Sequence, residues 1–340
     1  MSKTSLKSTR RGPILITGGA GYIGSHTHHE LIAQGFEVVV YDNLSTGFQR
    51  AVHPRAHFVQ GDIHDEKLLA QVASHYQISG VIHFAASLLV GESVEKPLDY
   101  YWNNTAGLLS VLRALREAET VPFVFSSTAA TYGEPSSNPI PEDTLQAPIN
   151  PYGRSKLFSE VILREHADRL AMGVVILRYF NVAGARMDLS LGQMTRNATH
   201  LIKVACEVAL GRRKALEVFG TDYPTRDGTG VRDYIHVDDL ARAHVAALQY
   251  LWDGGKSDVF NCGYGHGASV LEVIRAFEKI TQKLLPHQIT GRRPGDPAEL
   301  VADASRLKRI LGWKPQCDDL EKICRSALEW ERNQGVRLEG

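Results

Sequence analysis

Residues 13–26 read PILITGGAGYIGSH. A β-branched apolar run leads directly into Gly18, Gly21 and Gly24, and apolar residues at helical spacing follow. Strand, glycine turn and helix in that order make a dinucleotide loop. The glycines permit a tight turn and close approach of backbone to a pyrophosphate, and the helix N-terminus supplies N–H donors and a positive dipole end. Tyr22 and Ile23 sit inside the turn, between the second and third glycines. The next apolar run, EVVVY (37–41), ends at Asp42, 18 residues after Gly24. A carboxylate there can accept from both ribose hydroxyls of an adenosine and repels a 2′-phosphate, so the cofactor expected is NAD rather than NADP. The bland reading of Asp42 and Asn43 is a turn or cap.

Working outward, HFVQG (57–61), GVIHF (80–84), PFVFS (122–126) and VVILRYF (174–180) alternate with helical stretches such as LLSVLRALREAE (108–119). Such alternation predicts an α/β fold, a Rossmann-type doubly wound parallel sheet with helices on both faces. After Asn181 turn-rich pieces such as FGTDYPTRDGTG (219–230) and GRRPGDP (291–297) appear. The expected division is a disordered basic tail (1–12), an NAD-binding domain (13–180) and a smaller C-terminal substrate lobe (181–340), with segments such as DVFNCG (258–263) returning to the first sheet.

Composition narrows the function classes. Among 340 residues, Lys+Arg and Asp+Glu both number 38, so no global field draws the chain to nucleic acid. Apolar runs stay far short of the ~20 residues of a membrane span, and the basic N-terminus lacks the apolar core of a secretory signal. Cys206, Cys262, Cys317 and Cys324 form no CxxC pair or zinc spacing, which fits free thiols in a reducing, cytoplasmic setting. His26 and His29, one turn apart in SHTHHE, have no third ligand in view and read as packing or surface residues, so no metal is expected.

Chemistry enters at NPYGRSK (150–156). Tyr152 and Lys156, at i and i+4, project from one helix face. A free phenol titrates near ~10; a neighbouring ammonium and an oxidised nicotinamide would both favour its phenolate. Lys156 can also bond the nicotinamide ribose. The hydroxyls of Ser126, Ser127 and Thr128 close the fifth strand at its carboxyl edge, where sheets of this class bind ligands. One of them is placed to bond the substrate oxygen being oxidised. Taken singly, the helix pair and the hydroxyl cluster are common structural features; behind a dinucleotide loop they point to hydride chemistry at an alcohol.

The combination resembles the extended short-chain dehydrogenase/reductase family over residues 13 to about 331, and within it most closely the UDP-galactose 4-epimerases, also called UDP-glucose 4-epimerases. The resemblance is carried by ILITGGAGYIGSH, YDNLSTG, GDIHD, VIHFAA, FSSTAATYG, PINPYGRSK, LRYFNVAGA, GTDYPTRDGTGVRDYIHVDDLA and RRPGDPAELVADAS, in that order. It implies Tyr152 as base, Lys156 as the residue that holds the cofactor and Thr128 as the hydroxyl partner. It further implies that Asn43, Asp62 and Ile63 lie towards the adenosine, and that Phe84, Ala85, Ala86, Asn103 and Ser126 line the cofactor site. Tyr179 is implied beside the nicotinamide, and Asn181, Thr199, Leu201 and Phe219 on the sugar nucleotide. Arg232, Arg293 and Asp296 are implied at the diphosphate and uridine ribose, in keeping with bidentate bonding of phosphate by guanidinium. Some relatives carry lysine where this chain has Leu88.

The resemblance also separates the fates of a 4-keto sugar. Dehydratase relatives carry a pattern like S-T-D-E-V-Y-G, and this chain reads STAATYG, with Ala129 and Ala130 in place of the proton-transferring acids. What it implies is interconversion of UDP-glucose and UDP-galactose: NAD-mediated oxidation at C4, rotation of the keto sugar about its diphosphate, and hydride return. Alternatives are an epimerase of UDP-N-acetylhexosamine or UDP-pentose, and a non-catalytic NAD-sensing regulator, which would be expected to lose Tyr152 and Lys156. Leu300 is implied at the hexose pocket, its bulk disfavouring N-acetyl sugars. The family's homodimer would use the helices within TAGLLSVLRALREA and YGRSKLFSEVILREHADRL.

Overall fold

The computed structural model of the chain describes residues 11–116, 121–170, 172–194, 199–293 and 296–338. Ten of the twelve residues of the expected basic tail therefore lie outside the described residues, as do Pro294 and Gly295 of the GRRPGDP turn.

Seven strands form one parallel sheet: β1 Ile14–Thr17, β2 Val38–Asp42, β3 His57–Gln60, β4 Gly80–His83, β5 Phe123–Thr128, β6 Val174–Tyr179 and β7 Asp258–Cys262. Their spatial order is β7-β6-β5-β4-β1-β2-β3. Helices cover both faces, which is why β1, β2, β4 and β5 are buried at every position instead of alternating. On one face the helices Tyr22–Ala33 and Val237–Trp252 pack together over Ile14, Ile16, Val38, Val124 and Val175. On the other, the helices Glu66–Tyr76, Gly107–Ala114 and Pro151–Leu170 cover Leu15, Val39, Phe123, Phe125 and Ile176.

Local signals set the helix starts. Asp65 caps the helix Glu66–Tyr76 by accepting from the Leu68 amide at 3.0 Å. Ser269 and Glu272 form a reciprocal capping box on Val270–Thr281. Strand order reverses between β1 and β4, which opens the crevice in which sheets of this class hold a dinucleotide.

Beyond β6 the chain builds three small sheets. Asn181–Ala183 pairs with Tyr234–His236, Leu216–Phe219 with His287–Thr290, and Val231–Arg232 lies between Ala268–Ser269 and Glu299–Leu300. These pieces interleave with the main sheet in sequence: Val237–Trp252 packs on Tyr22–Ala33, and β7 extends the sheet beside β6. A small apolar cluster of Ala129, Tyr132, Ile140, Phe180 and Ala302, with Leu300 against it, joins the end of β5 to the lobe.

Candidate active site

At the switch point the backbone of β1 meets that of β4. The Phe84 and Ala85 amides both donate to the Thr17 carbonyl, at 2.9 and 3.1 Å. Gly18 has φ +71°, and a Cβ there would lie 2.6 Å from the Ala85 nitrogen. A Cβ on Gly24 would lie 2.4 Å from the Gly18 carbonyl oxygen. Both positions therefore demand glycine. The helix Tyr22–Ala33 starts from Gly21 without a side-chain cap, so its first-turn amides are left to an anionic ligand. The cradle fits a pyrophosphate.

Asp42 is buried at the tip of β2. Its carboxylate accepts from the Ala20 amide at 2.9 Å and the Leu44 amide at 2.8 Å. Burial raises its carboxyl above the usual range while these two bonds pull it back. The same contacts serve as the turn the bland reading anticipates, and they leave lone pairs on both oxygens. Asn43 donates to Asp62 at 2.9 Å. The Ile63 side chain turns into the core, where it packs against Gly107.

The Pro151–Leu170 helix brings its N-terminal turns under the carboxyl edge of β5. Lys156 is buried, donates to the Ser126 carbonyl at 2.8 Å and lies 4.9 Å from the centre of the Phe125 ring. Burial lowers its ammonium to about 7. The hydroxyl of Ser126 bonds that of Tyr179. Tyr152 is raised by burial and pulled down by the Thr128 hydroxyl facing it. Lys156 is held by the Ser126 carbonyl, and the Thr128 hydroxyl is the group that opposes the effect of burial on Tyr152. Tyr179 is raised by burial and by the neighbouring Tyr152. Asn103 donates to the Ser87 hydroxyl at 2.9 Å, just beyond Ala85 and Ala86.

The remaining residues expected on the ligand come after β6. Asn181 lies two residues after the end of β6, its amide donating to the Asp233 carbonyl at 3.0 Å. Arg232 is in an ion pair with Asp296 and donates to the Pro297 carbonyl at 2.8 Å. Both residues were expected on the ligand, and here they also hold each other. Arg293 lies 4.1 Å from the centre of the Phe219 ring, a cation–π stack with an exposed guanidinium. Leu300 is opposite Arg232 in register and packs against the cluster of Ala129, Tyr132, Ile140, Phe180 and Ala302. Thr199 is exposed immediately ahead of the helix Leu201–Ala209, and Leu201 packs against the main core. Leu88 is exposed. His26 bonds Asp238 at 2.8 Å and His29 reaches the Ala51 carbonyl at 3.3 Å, so both pack behind the loop.

Two polar residues important to this arrangement escape the sequence reading. Asn104 is buried, accepts from the Ser87 amide at 2.7 Å and donates to the Ser155 hydroxyl at 2.9 Å, tying the segment after β4 to the Pro151–Leu170 helix. Glu160 is buried one turn after Lys156. The i, i+4, i+8 spacing of Tyr152, Lys156 and Glu160 on an inward face was the signal that could have found it.

Comparison with known proteins agrees with this geometry. Residues 14–263 match the model of the NAD dependent epimerase/dehydratase family. The chain is 53% identical over 320 residues to a UDP-glucose 4-epimerase of Azospirillum brasilense, covering 94% of this chain and 92% of that protein. It superposes on the UDP-glucose 4-epimerase of Brucella ovis, solved in complex with NAD, with a TM-score of 0.91 and 47% identity over 94% of this chain and 98% of the other. The Bifidobacterium longum UDP-glucose 4-epimerase, solved with NAD+ and UDP, gives a TM-score of 0.89 and 41% identity over 95% and 99% of the two chains.

Proposed function

The chain belongs to the NAD dependent epimerase/dehydratase family, and from that premise we propose that it interconverts UDP-glucose and UDP-galactose with NAD as its cofactor. The observation that carries the reading is the convergence of Tyr152, Thr128, Lys156 and Tyr179 at the carboxyl edge of β5 and β6, with alanines at 129 and 130. An alcohol can be deprotonated there, and no side-chain acid stands at the two positions where dehydratases carry theirs.

The residues fit NAD: the glycine cradle takes its pyrophosphate, Asp42 its adenosine ribose, and Lys156 its nicotinamide ribose. When bound, NAD supplies reversible hydride transfer at the sugar C4. The protein does the rest. Tyr152 takes the proton of the 4-hydroxyl and later returns it, as general base and then general acid. Thr128 bonds the same oxygen and holds it towards the phenol. Arg232 and Arg293 hold the diphosphate while the keto sugar turns, and Phe219 and Asn181 border the rest of the nucleotide. Incubating the purified protein with UDP-galactose without added NAD tests the reading; formation of UDP-glucose is expected, and its absence from an NAD-loaded preparation overturns it.

Two broader features accompany this reading. Leu98, Trp102, Leu109, Phe158 and Val161 leave an apolar face exposed on the helices around 97–114 and 151–170, suited to a homodimer. Sedimentation at micromolar concentration measures it. No helix among the described residues is long and apolar enough to cross a membrane. The four cysteines are free and buried, in keeping with a cytoplasmic setting.

A further inference from the structure

Glu160 is wholly buried and is bonded within its own helix, to β5, to β6 and to the segment ahead of the helix. Its carboxylate accepts from the Ser127 hydroxyl of β5 at 2.5 Å and from Gln146, in the segment ahead of the catalytic helix, at 3.0 Å. It accepts from Arg164 of its own helix at 2.9 Å and from two nitrogens of Arg178 on β6, the closer at 2.6 Å. Arg178 in turn donates to the Tyr132 hydroxyl at 2.9 Å, and that hydroxyl donates to Asn261 of β7 at 2.7 Å.

The neighbours of this cluster are the reacting groups. Ser127 lies between Ser126, whose carbonyl holds Lys156, and Thr128, which faces Tyr152. Arg178 precedes Tyr179 on its strand. Glu160 follows Lys156 by one helical turn, and its negative charge acts on the ammonium, opposing the effect of burial. The other groups facing Lys156 are neutral or aromatic: the Ser126 carbonyl, the Phe125 ring, and the His83 imidazole across on β4, which burial and the lysine charge lower to about 3.

We propose that Glu160 is a positioning residue for the reaction: through Ser127 it fixes the strand end that carries Ser126 and Thr128, and it supplies a negative charge one helical turn from Lys156. This deepens the reading of the site as an epimerase centre and rests on it. A carboxylate needed only to neutralise Arg178 would not have to reach β5. The Ser127 bond adds a second tie between helix and strand end, one turn beyond that of Lys156 to the Ser126 carbonyl, and near-attack geometry is sensitive to small shifts.

The test begins with the parent protein, whose conversion of UDP-galactose to UDP-glucose decides the underlying reading separately. Ser127→Ala then removes the link and leaves the Glu160–Arg178 pair in place. Expected is a fall of about tenfold in kcat, with KM, bound NAD and Tm held near the parent values. Glu160→Gln is expected to move the alkaline limb of the kcat profile to lower pH by about one unit, because the ammonium loses its opposing charge. If that variant does not fold, Glu160→Gln combined with Arg178→Gln is measured in its place. A Ser127→Ala protein with the parent kcat overturns the proposal. So does a loss of kcat that merely tracks loss of folded or NAD-loaded protein, or an unmoved alkaline limb in the folded Glu160 variant.

Discussion

Two consecutive turns of the Pro151–Leu170 helix bury a charge, and they treat it in opposite ways. Glu160 is saturated: a guanidinium, a second arginine, an amide and a hydroxyl all reach its carboxylate. Among the described residues Lys156 has one hydrogen bond, to a backbone carbonyl, and an aromatic ring beside it. Burial pulls against both cations of this region, but the hydrogen bonds and charge of Glu160 outweigh it and hold Arg178 raised, whereas Lys156 falls to about 7. A buried charge whose partners are complete is explained by the fold. One left with spare donors is not, and its remaining donors point to a ligand.

The sharpest way to break this contrast is to make the saturated turn resemble the sparse one. Arg178→Met leaves Glu160 without its main counter-charge in the core. Removing one partner of a buried pair costs about 3–5 kcal/mol. Chemical denaturation should show a lower midpoint of that order. The double variant Glu160→Met with Arg178→Met, which removes both charges, should recover most of it. If Arg178→Met is as stable as the parent, the pair is not what holds the three elements together.

Lys156→Met should behave in the reverse sense. Turnover is expected to fall by about 10²-fold, the scale of a lost acid–base or orienting group, as it should for Tyr152→Phe. Stability moves the other way. Because the folded pKa of Lys156 lies below its unfolded value near ~10.4, the unfolded chain binds more protons across the window from about 7 upward, so the lysine's cost is greatest below that window and fades as pH rises. The methionine variant should therefore exceed the parent in stability at pH 6, by a margin that shrinks towards pH 9. A margin that grows with pH would show the ammonium to be stabilising.

The same contrast explains which parts of the molecule were legible from sequence. Glycines at 18 and 24 announce themselves because a Cβ would strike backbone, and β1, β2, β4 and β5 because burial on both faces forces continuous apolar runs. Tyr152 and Lys156 were legible from helical spacing. Glu160, Arg178 and Asn104 were not, since a charged or amide residue in a helix or strand ordinarily reads as solvated surface. Only the fold brings Arg178 from β6 against a helix 18 residues earlier in the chain. The influence of Thr128 on the Tyr152 phenol depends likewise on how a strand end meets a helix.

Asp42 lies between the two cases, with two amide bonds and free lone pairs. Asp42→Ala should weaken NAD retention by about tenfold and relax discrimination against NADP, because the repulsive carboxylate is gone. Measuring bound cofactor after extensive dialysis, then titrating NADP into the stripped protein, reads both effects. Unchanged retention together with a lowered Tm would make Asp42 a turn residue alone.

The smallest effect expected is at Leu300, where the contrast is one of shape instead of charge. Its side chain packs against the apolar cluster that includes Ala129, just after β5, and Phe180, just after β6, and its register partner is Arg232. A keto sugar that turns there sweeps a larger volume when C2 carries an acetamido group, so a branched aliphatic acts by exclusion and offers no hydrogen bond in return. We propose that Leu300 therefore favours UDP-glucose and UDP-galactose over their N-acetyl counterparts. Leu300→Ser shortens the side chain and adds a hydroxyl. The ratio of kcat/KM for UDP-N-acetylgalactosamine to that for UDP-galactose should rise by roughly 10-fold, the scale of one or two methylenes in a pocket. Because Leu300 also contributes to the apolar contact between β5 and the lobe, some loss of Tm is expected alongside, and the ratio is the informative quantity since it is indifferent to the fraction of protein folded. An unchanged ratio, or a parent that already prefers the N-acetyl sugar, would make Leu300 a packing residue and move the determinant of sugar choice elsewhere.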